Sequence, residues 1–298
     1  MRKTEKRIEN EISRTAEFTC MMRSASFYEK TRQYKSNDYV APLLVPKFFM
    51  PVIKIRPLRN FFINRFFPPG MYEYVIARTK FIDSVFQKVL NEGFDQILIF
   101  GAGFDSRGVR FADANKKTKI FELDAPVTQE AKINQFKKRG VEIDPKVIFI
   151  SIDFNKESIE NKLLESEFEK NQKTLFILEG LTMYLDSEAI DNTFKVINEC
   201  AGNGSKVVFD YVYLSVLRGE NLYYGESEVL DGVKKENEPW SFGIEKGEIE
   251  SFLENRDLKL IKNLNSEDLE KEFFKDIKGN VIAKVNGTHC ITYSTKIN

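Results

Sequence analysis

The segment Phe100-Gly101-Ala102-Gly103-Phe104-Asp105 follows directly on the apolar run Gln96-Ile-Leu-Ile-Phe100. That placement gives the two glycines a chemical meaning: without a Cβ the backbone turns tightly, and a ligand approaches closer than any side chain would permit. About twenty residues on, the next apolar run closes in Glu122-Leu123-Asp124, where nucleotide-binding sheets place a carboxylate that grips two ribose hydroxyls. Asp124 is the choice over Glu122. A third run ends in Ser151-Ile152-Asp153-Phe154, where a carboxylate can accept from an adenine amino group and an aromatic neighbour can cover the ring. The fourth ends in Glu179-Gly180. Any one of these acids could be a solvated loop residue or a helix cap. Four successive strand ends that agree point to the crevice in which open α/β sheets bind ligands.

A nicotinamide dinucleotide is one candidate ligand, but its fingerprint needs a third glycine where this chain has Ser106, followed by Arg107. A sulfonium methyl donor has no pyrophosphate to cradle and does not need that glycine. Its zwitterionic methionine end would instead suit Arg78 and Glu179 through charge-assisted hydrogen bonds. Tyr184, just after the fourth strand, could position an acceptor or could be a packed tyrosine. The lone histidine, His289, lies in Gly287-Thr288-His289-Cys290-Ile291. A structural role is expected there, although histidine is the side chain best suited to proton transfer near neutrality. No metal-ligand spacing is found, which disfavours magnesium-assisted chemistry.

These residues need a sheet to hold them. Thr79 to Glu92 carries Phe81, Ile82, Val85, Phe86, Val89 and Leu90 at helical spacing. Strands are expected at 96–100, 119–123, 146–150, 174–178 and 206–209, with helical stretches between, so a parallel sheet with right-handed crossovers follows. In the tail, 244–255 reads as a helix, and 258–261 and 288–294 as strands.

With 298 residues, one α/β core with appended segments is expected. The 45 basic residues balance 45 acidic ones, so nucleic acid is not expected as a partner. Cys20, Cys200 and Cys290 are far apart and form no Cys-x-x-Cys, which fits a reducing cytoplasm rather than a disulfide framework or a zinc site. The charged start leads into no apolar stretch of signal-peptide length, and no run is long enough to span a membrane. Residues 1–75 differ from the rest. Between Asp38 and Glu73 there is no acid, but there are Lys47, Lys54, Arg56, Arg59, Arg65, six Phe and six Pro. The prolines forbid one continuous helix. The segment reads as a helical lid whose aromatics dock on the core, line a substrate pocket, or meet a membrane surface peripherally.

Several spaced motifs resemble the leucine carboxyl methyltransferase family, in particular its bacterial branch of S-adenosylmethionine-dependent O-methyltransferases. They are Ala77-Arg78-Thr79-Lys80-Phe81-Ile82-Asp83, Gly101-Ala102-Gly103-Phe104-Asp105-Ser106-Arg107, Phe121-Glu122-Leu123-Asp124-Ala125-Pro126, Asp153-Phe154 and Leu178-Glu179-Gly180-Leu181-Thr182-Met183-Tyr184-Leu185, with Glu238-Pro239-Trp240-Ser241-Phe242-Gly243 in the tail. The resemblance implies a Rossmann-like class I methyltransferase fold: a mostly parallel twisted sheet with helices on both faces, over residues 76–298, with substrate-side elements at about 211–245. It implies S-adenosyl-L-methionine as cofactor, converted to S-adenosyl-L-homocysteine. Arg78 would bind the methionine carboxylate, and Gly101 and Gly103 would lie against the methionine part. Asp124 would hold the ribose, Asp153 and Phe154 the adenine, and Glu179 the methionine end or the edge of the reaction chamber. Phe154 stands where the family more often has Leu, and Ser106 where it more often has Thr. The expected reaction moves a methyl group to a carboxylate or hydroxyl oxygen of a small molecule. A protein carboxyl terminus as acceptor, or donor binding without turnover, are the alternatives.

Overall fold

The computed structural model describes residues 11–154, 156–236 and 239–297. The charged start of the lid and Glu238 of the tail motif lie outside the described residues. Seven strands, β1 (Gln96–Phe100), β2 (Lys119–Asp124), β3 (Val147–Ser151), β4 (Thr174–Leu178), β5 (Lys206–Val212), β6 (Leu258–Leu264) and β7 (His289–Lys296), form one sheet in the order β3-β2-β1-β4-β5-β7-β6. β1 to β5 are parallel, and β7 pairs antiparallel with both β5 and β6. The fold is thus the expected mostly parallel α/β sheet, with an antiparallel edge that strands read one at a time do not reveal.

The strands read as continuous apolar runs because both faces of the sheet are covered. Alternation along β1 sends Ile97 and Ile99 into one core and Leu98 and Phe100 into the other. The first core receives α1 (Arg14–Phe27), α2 (Ala41–Leu44), α3 (Met50–Lys54), α4 (Arg56–Phe66) and α5 (Met71–Asn91). After α6 (Arg107–Arg110) and α7 (Pro126–Arg139), the second receives α8 (Ile159–Leu164) and α9 (Ser187–Cys200). The chain then adds α10 (Leu214–Leu217), α11 (Glu226–Glu236), α12 (Ile249–Glu254) and α13 (Ser266–Phe273).

Two boundaries differ from the expectation for physical reasons. The helix expected from Thr79 begins at Met71, because Pro68-Pro69 and Gly70 at φ +73° make the turn before it. A Cβ on Gly70 would meet the Asn286 backbone nitrogen at 2.5 Å. α5 therefore runs through position 75. The helix expected over 244–255 is short: Ile244 exchanges backbone hydrogen bonds with Val212 and Leu214, each 3.0 Å, and helix resumes at Ile249.

Before α5 come α1 to α4, and α1 packs on the turn that follows β1. Ser13 caps α1 by accepting from Ala16 N–H at 3.2 Å. Arg23 fastens the helix, donating to Asp38 Oδ2 at 2.9 Å and to the Phe104 carbonyl at 2.7 Å. Ser106, where a dinucleotide fingerprint would have glycine, donates to Asp38 Oδ1 at 2.9 Å and so ties this segment to the glycine turn. Toward solvent it leaves Phe48, Ile55, Leu58, Phe61 and Phe66 exposed, interspersed with Lys47, Lys54, Arg56 and Arg65.

Candidate active site

The turn after β1 carries Gly101 at φ +61° and Gly103 at φ +51°, conformations that L side chains rarely adopt. A Cβ on Gly103 would stand 3.0 Å from the Ala16 Cβ of α1, so the glycine lets α1 lie directly on the turn. Arg78, Gly101, Gly103, Asp124, Phe154, Glu179 and Tyr184 all line one cleft of about 140 Å³ beneath α1. Asp153 is not part of that lining. Its carboxylate meets Lys156 Nζ at 2.9 Å, and its backbone N–H donates to Glu157 at 2.8 Å.

Asp124 ends β2 with its carboxylate folded against the turn, accepting from the backbone N–H of Gly103 and, at 2.6 Å, of Ala125. Burial pushes its pKa up, and those two hydrogen bonds oppose the shift. Glu122, two residues earlier, is buried against Lys132 at 2.5 Å and lies outside the cleft lining.

Arg78 occupies the junction of α5, β4 and β5. Its Nη1 donates to Asp210 Oδ2 at 2.6 Å, and its Nε lies 3.0 Å from Glu179 Oε1. The other Glu179 oxygen accepts from Arg107 Nη1 at 2.7 Å, and Arg107 in turn contacts Asp83 at 2.8 Å. Glu179 is thereby shared between two guanidinium groups. Burial would raise the Asp210 pKa, but Arg78 and the Gly180 N–H outweigh it and hold the carboxyl below its ordinary value. Asp210 also accepts from Tyr74 Oη at 2.8 Å and Gly180 N–H at 2.6 Å. Sequence reasoning missed this residue as the anchor of Arg78. The available signal was a single acid closing the apolar run of β5.

A second cavity, about 930 Å³, adjoins the first and shares Thr15, Thr19, Arg78, Gly180 and Tyr184 with it. Its walls are mostly apolar and aromatic: Phe18 and Met22 from α1, Phe66 and Phe67 before α5, Val229 from α11, and Trp240. Tyr184 stands on the boundary, its hydroxyl 3.3 Å from Thr15 Oγ1. His289 lines the larger cavity and is buried between Tyr74 and Trp240, with ring centroids 4.5 and 5.2 Å away.

A model of the family described as leucine carboxyl methyltransferase matches residues 19–198. The chain belongs to that family. The "Putative S-adenosyl-L-methionine-dependent methyltransferase YktD" of Bacillus subtilis is 28% identical over 208 residues, 70% of this chain and 68% of that protein. A similarly named protein of Mycobacteroides abscessus is 31% identical over 154 residues, and the match spans 49% of this chain and half the length of that relative. The crystal structure of a DUF574-family protein from Streptomyces avermitilis shares the fold, with a TM-score of 0.61 at 12% identity over 97% of this chain and 100% of that one. This leucine carboxyl methyltransferase relative is an S-adenosylmethionine-dependent methyltransferase, and S-adenosylmethionine is its cofactor. The cleft fits that group in its chemistry, with a glycine turn open to close approach, a carboxylate at the end of β2 and a guanidinium at the floor. Among the described residues no group of three metal-ligating side chains gathers, and no helix is long and apolar enough to cross a membrane.

The methyltransferase carries one histidine, which makes its titration separable. Burial, reinforced by Arg78 and opposed by Asp210, pushes the His289 pKa down to about 4 from 6.5. Because the folded value is the lower one, this stability is fully present above pH 6.5 and is lost as pH falls from 6.5 toward 4. It amounts to roughly 3 kcal/mol. The difference in urea midpoint between wild type and His289→Asn, followed from pH 7 to 4.5, is expected to shrink steadily. A constant difference across that range would contradict the burial of a neutral imidazole.

Proposed function

We propose that this chain transfers the methyl group of S-adenosylmethionine to an oxygen of a small, largely apolar acceptor held in the 930 Å³ cavity. The observation that supports this reading is the shared wall of the two cavities, which includes Arg78, Gly180 and Tyr184. The volume lies within the range of small-molecule pockets, and its mostly apolar lining suits such a ligand.

In this reading Arg78 receives the methionine carboxylate, Gly101 and Gly103 admit the methionine part, and Glu179 holds Arg78 and Arg107 in place beside it. Asp124 accepts from the ribose hydroxyls, Phe154 covers the adenine, and Asp153 at the rim takes its amino group. When bound, the cofactor supplies an electrophilic methyl on sulfonium. The protein's own contribution is to align the acceptor oxygen, with Tyr184 as a positioning group, and to exclude water beneath α1. The test is incubation with methyl-labelled S-adenosylmethionine, a panel of apolar phenols and acids, and peptides ending in a leucine carboxylate. Labelled small molecules support the reading, and label confined to peptide termini contradicts it.

The exposed aromatic and basic face of residues 47–66 borders this cavity through Arg65 and Phe66. Its charge and exposed rings match an anionic lipid surface, from which an apolar acceptor would enter. Each basic residue near such a surface contributes roughly 1 kcal/mol. Arg56→Glu combined with Arg65→Glu should therefore weaken co-sedimentation with phosphatidylglycerol vesicles by more than tenfold. Equal binding of wild type and variant would sink this part of the reading.

A further inference from the structure

His289 is held in one tautomer by a short chain of hydrogen bonds that begins at the Pro69 carbonyl. Asn286 Nδ2 donates to the Pro69 carbonyl at 3.0 Å, which fixes the amide so that Oδ1 faces Thr288. Oδ1 accepts from the Thr288 N–H at 3.2 Å and lies 2.6 Å from Thr288 Oγ1. Two oxygens that close require a proton between them, and only the threonine has one to give. Thr288 Oγ1 therefore turns a lone pair toward His289 Nδ1, 2.7 Å away, and Nδ1 must carry the ring proton. Nε2 is left with its lone pair. It makes no hydrogen bond among the described residues, on a ring that lines the acceptor cavity. Trp240, whose ring centroid lies 5.2 Å from that of His289, lines the same cavity, and its indole N–H is buried without a hydrogen-bond partner among the described residues.

We infer that His289 is the general base of the reaction and that the methylated atom is a hydroxyl oxygen, not a carboxylate. This rests on the acceptor-cavity reading above. A hydroxyl can donate a hydrogen bond to the Nε2 lone pair. A carboxylate only accepts, and it would face the Nε2 lone pair. In the step, an acceptor oxygen lone pair forms the C–O bond as the C–S bond breaks, and the electron pair of that bond stays on sulfur in the neutral thioether product. The hydroxyl proton passes to Nε2, and the positive charge lost from sulfur reappears on the imidazolium. From there the proton leaves to solvent with the products. Asp210 of β5 and Tyr74 and Arg78 of α5 surround the ring, and Arg65, Glu73, Glu228 and Lys284 are the other charged groups on the cavity wall. Burial keeps the imidazole neutral at pH 7, with its lone pair available, while Asp210 favours the cation formed during transfer.

The first test needs no acceptor. Untagged protein labelled with ¹⁵N-histidine gives one imidazole, because the chain has one histidine. Its two nitrogen shifts at pH 7 should report a protonated Nδ1 and an unprotonated Nε2. The opposite tautomer, or an imidazolium, would overturn the assignment. The second test offers the labelled donor with matched probes: 2-naphthol against 2-naphthoic acid, and 4-phenylphenol against biphenyl-4-carboxylic acid. The phenols should be methylated and the acids not. His289→Asn should slow phenol methylation about 10²- to 10⁴-fold at pH 7 and recover as rising pH ionises the phenol itself, with S-adenosylhomocysteine affinity unchanged. Thr288→Val, which releases the tautomer but keeps the base, should lose less. If His289→Asn does not fold, the wild-type tautomer and the probe pairs decide the matter. Methylation of the acids alone, of neither probe class by protein that binds the donor, or at an unchanged rate in a folded His289→Asn would overturn the inference. Failure of the wild type to bind S-adenosylmethionine would instead overturn the reading on which it rests.

Discussion

Asp210→Ala is expected to lower the unfolding free energy by about 3–5 kcal/mol, the cost of leaving one partner of a buried ion pair without the other. Asp210 is fully buried, and it ties the Arg78 guanidinium, the Tyr74 hydroxyl and the Gly180 N–H to β5. Removing it takes one of two carboxylates from a buried guanidinium and leaves two donors without their acceptor. For a chain of this size the loss corresponds to a drop in Tm of about 10 °C, readable by differential scanning calorimetry. Asp210→Asn keeps an acceptor for Gly180 and should fall between the two. A shift of less than about 3 °C in the alanine variant would mean that Glu179, already 3.0 Å from Arg78 Nε, suffices as its countercharge.

Asp124→Ala should weaken S-adenosylmethionine binding by roughly a hundredfold or more. Two ribose hydroxyls donating to a buried carboxylate contribute about 1.5–3 kcal/mol each. The substitution also frees the Gly103 and Ala125 N–H groups, so the glycine turn loses its anchor as well as its ligand contact. Asp124→Asn retains an acceptor for the turn and separates the two effects, because donor affinity should still fall while Tm holds closer to wild type. Binding within threefold of wild type in both variants, by titration calorimetry, would place the ribose elsewhere.

The parallel core was legible in the sequence because β1 and β4 are short apolar runs bounded by turn residues, and their ends carry Gly101, Gly103 and Glu179 in order. The strand-end residues of the cleft were legible for the same reason: the ends of parallel strands converge, so local patterns suffice to gather Gly101, Asp124 and Glu179. What escaped depends on pairs far apart in the chain. Arg78 and Asp210 are 132 positions apart, and nothing near either residue names the other. The start of α5 was obscured because Gly70 makes its turn against Asn286, a residue from the far end of the chain. Ile244, apolar and followed by a helical pattern, reads as helix until β5 is there to pair with it. The larger cavity is assembled from α1, the α4–α5 connection, α11 and residues 282–289, so no single window contains it. The tautomer of His289 depends on Asn286, whose orientation is set by Pro69.

The measurement closest to the central claim is a calorimetric titration of the wild-type protein with S-adenosylmethionine and, in parallel, with NADH. Saturable one-to-one binding of S-adenosylmethionine, with no heat from NADH, is the predicted result. Saturation by NADH, or no binding of S-adenosylmethionine, would contradict the assignment of the cleft beneath α1 to a methyl donor.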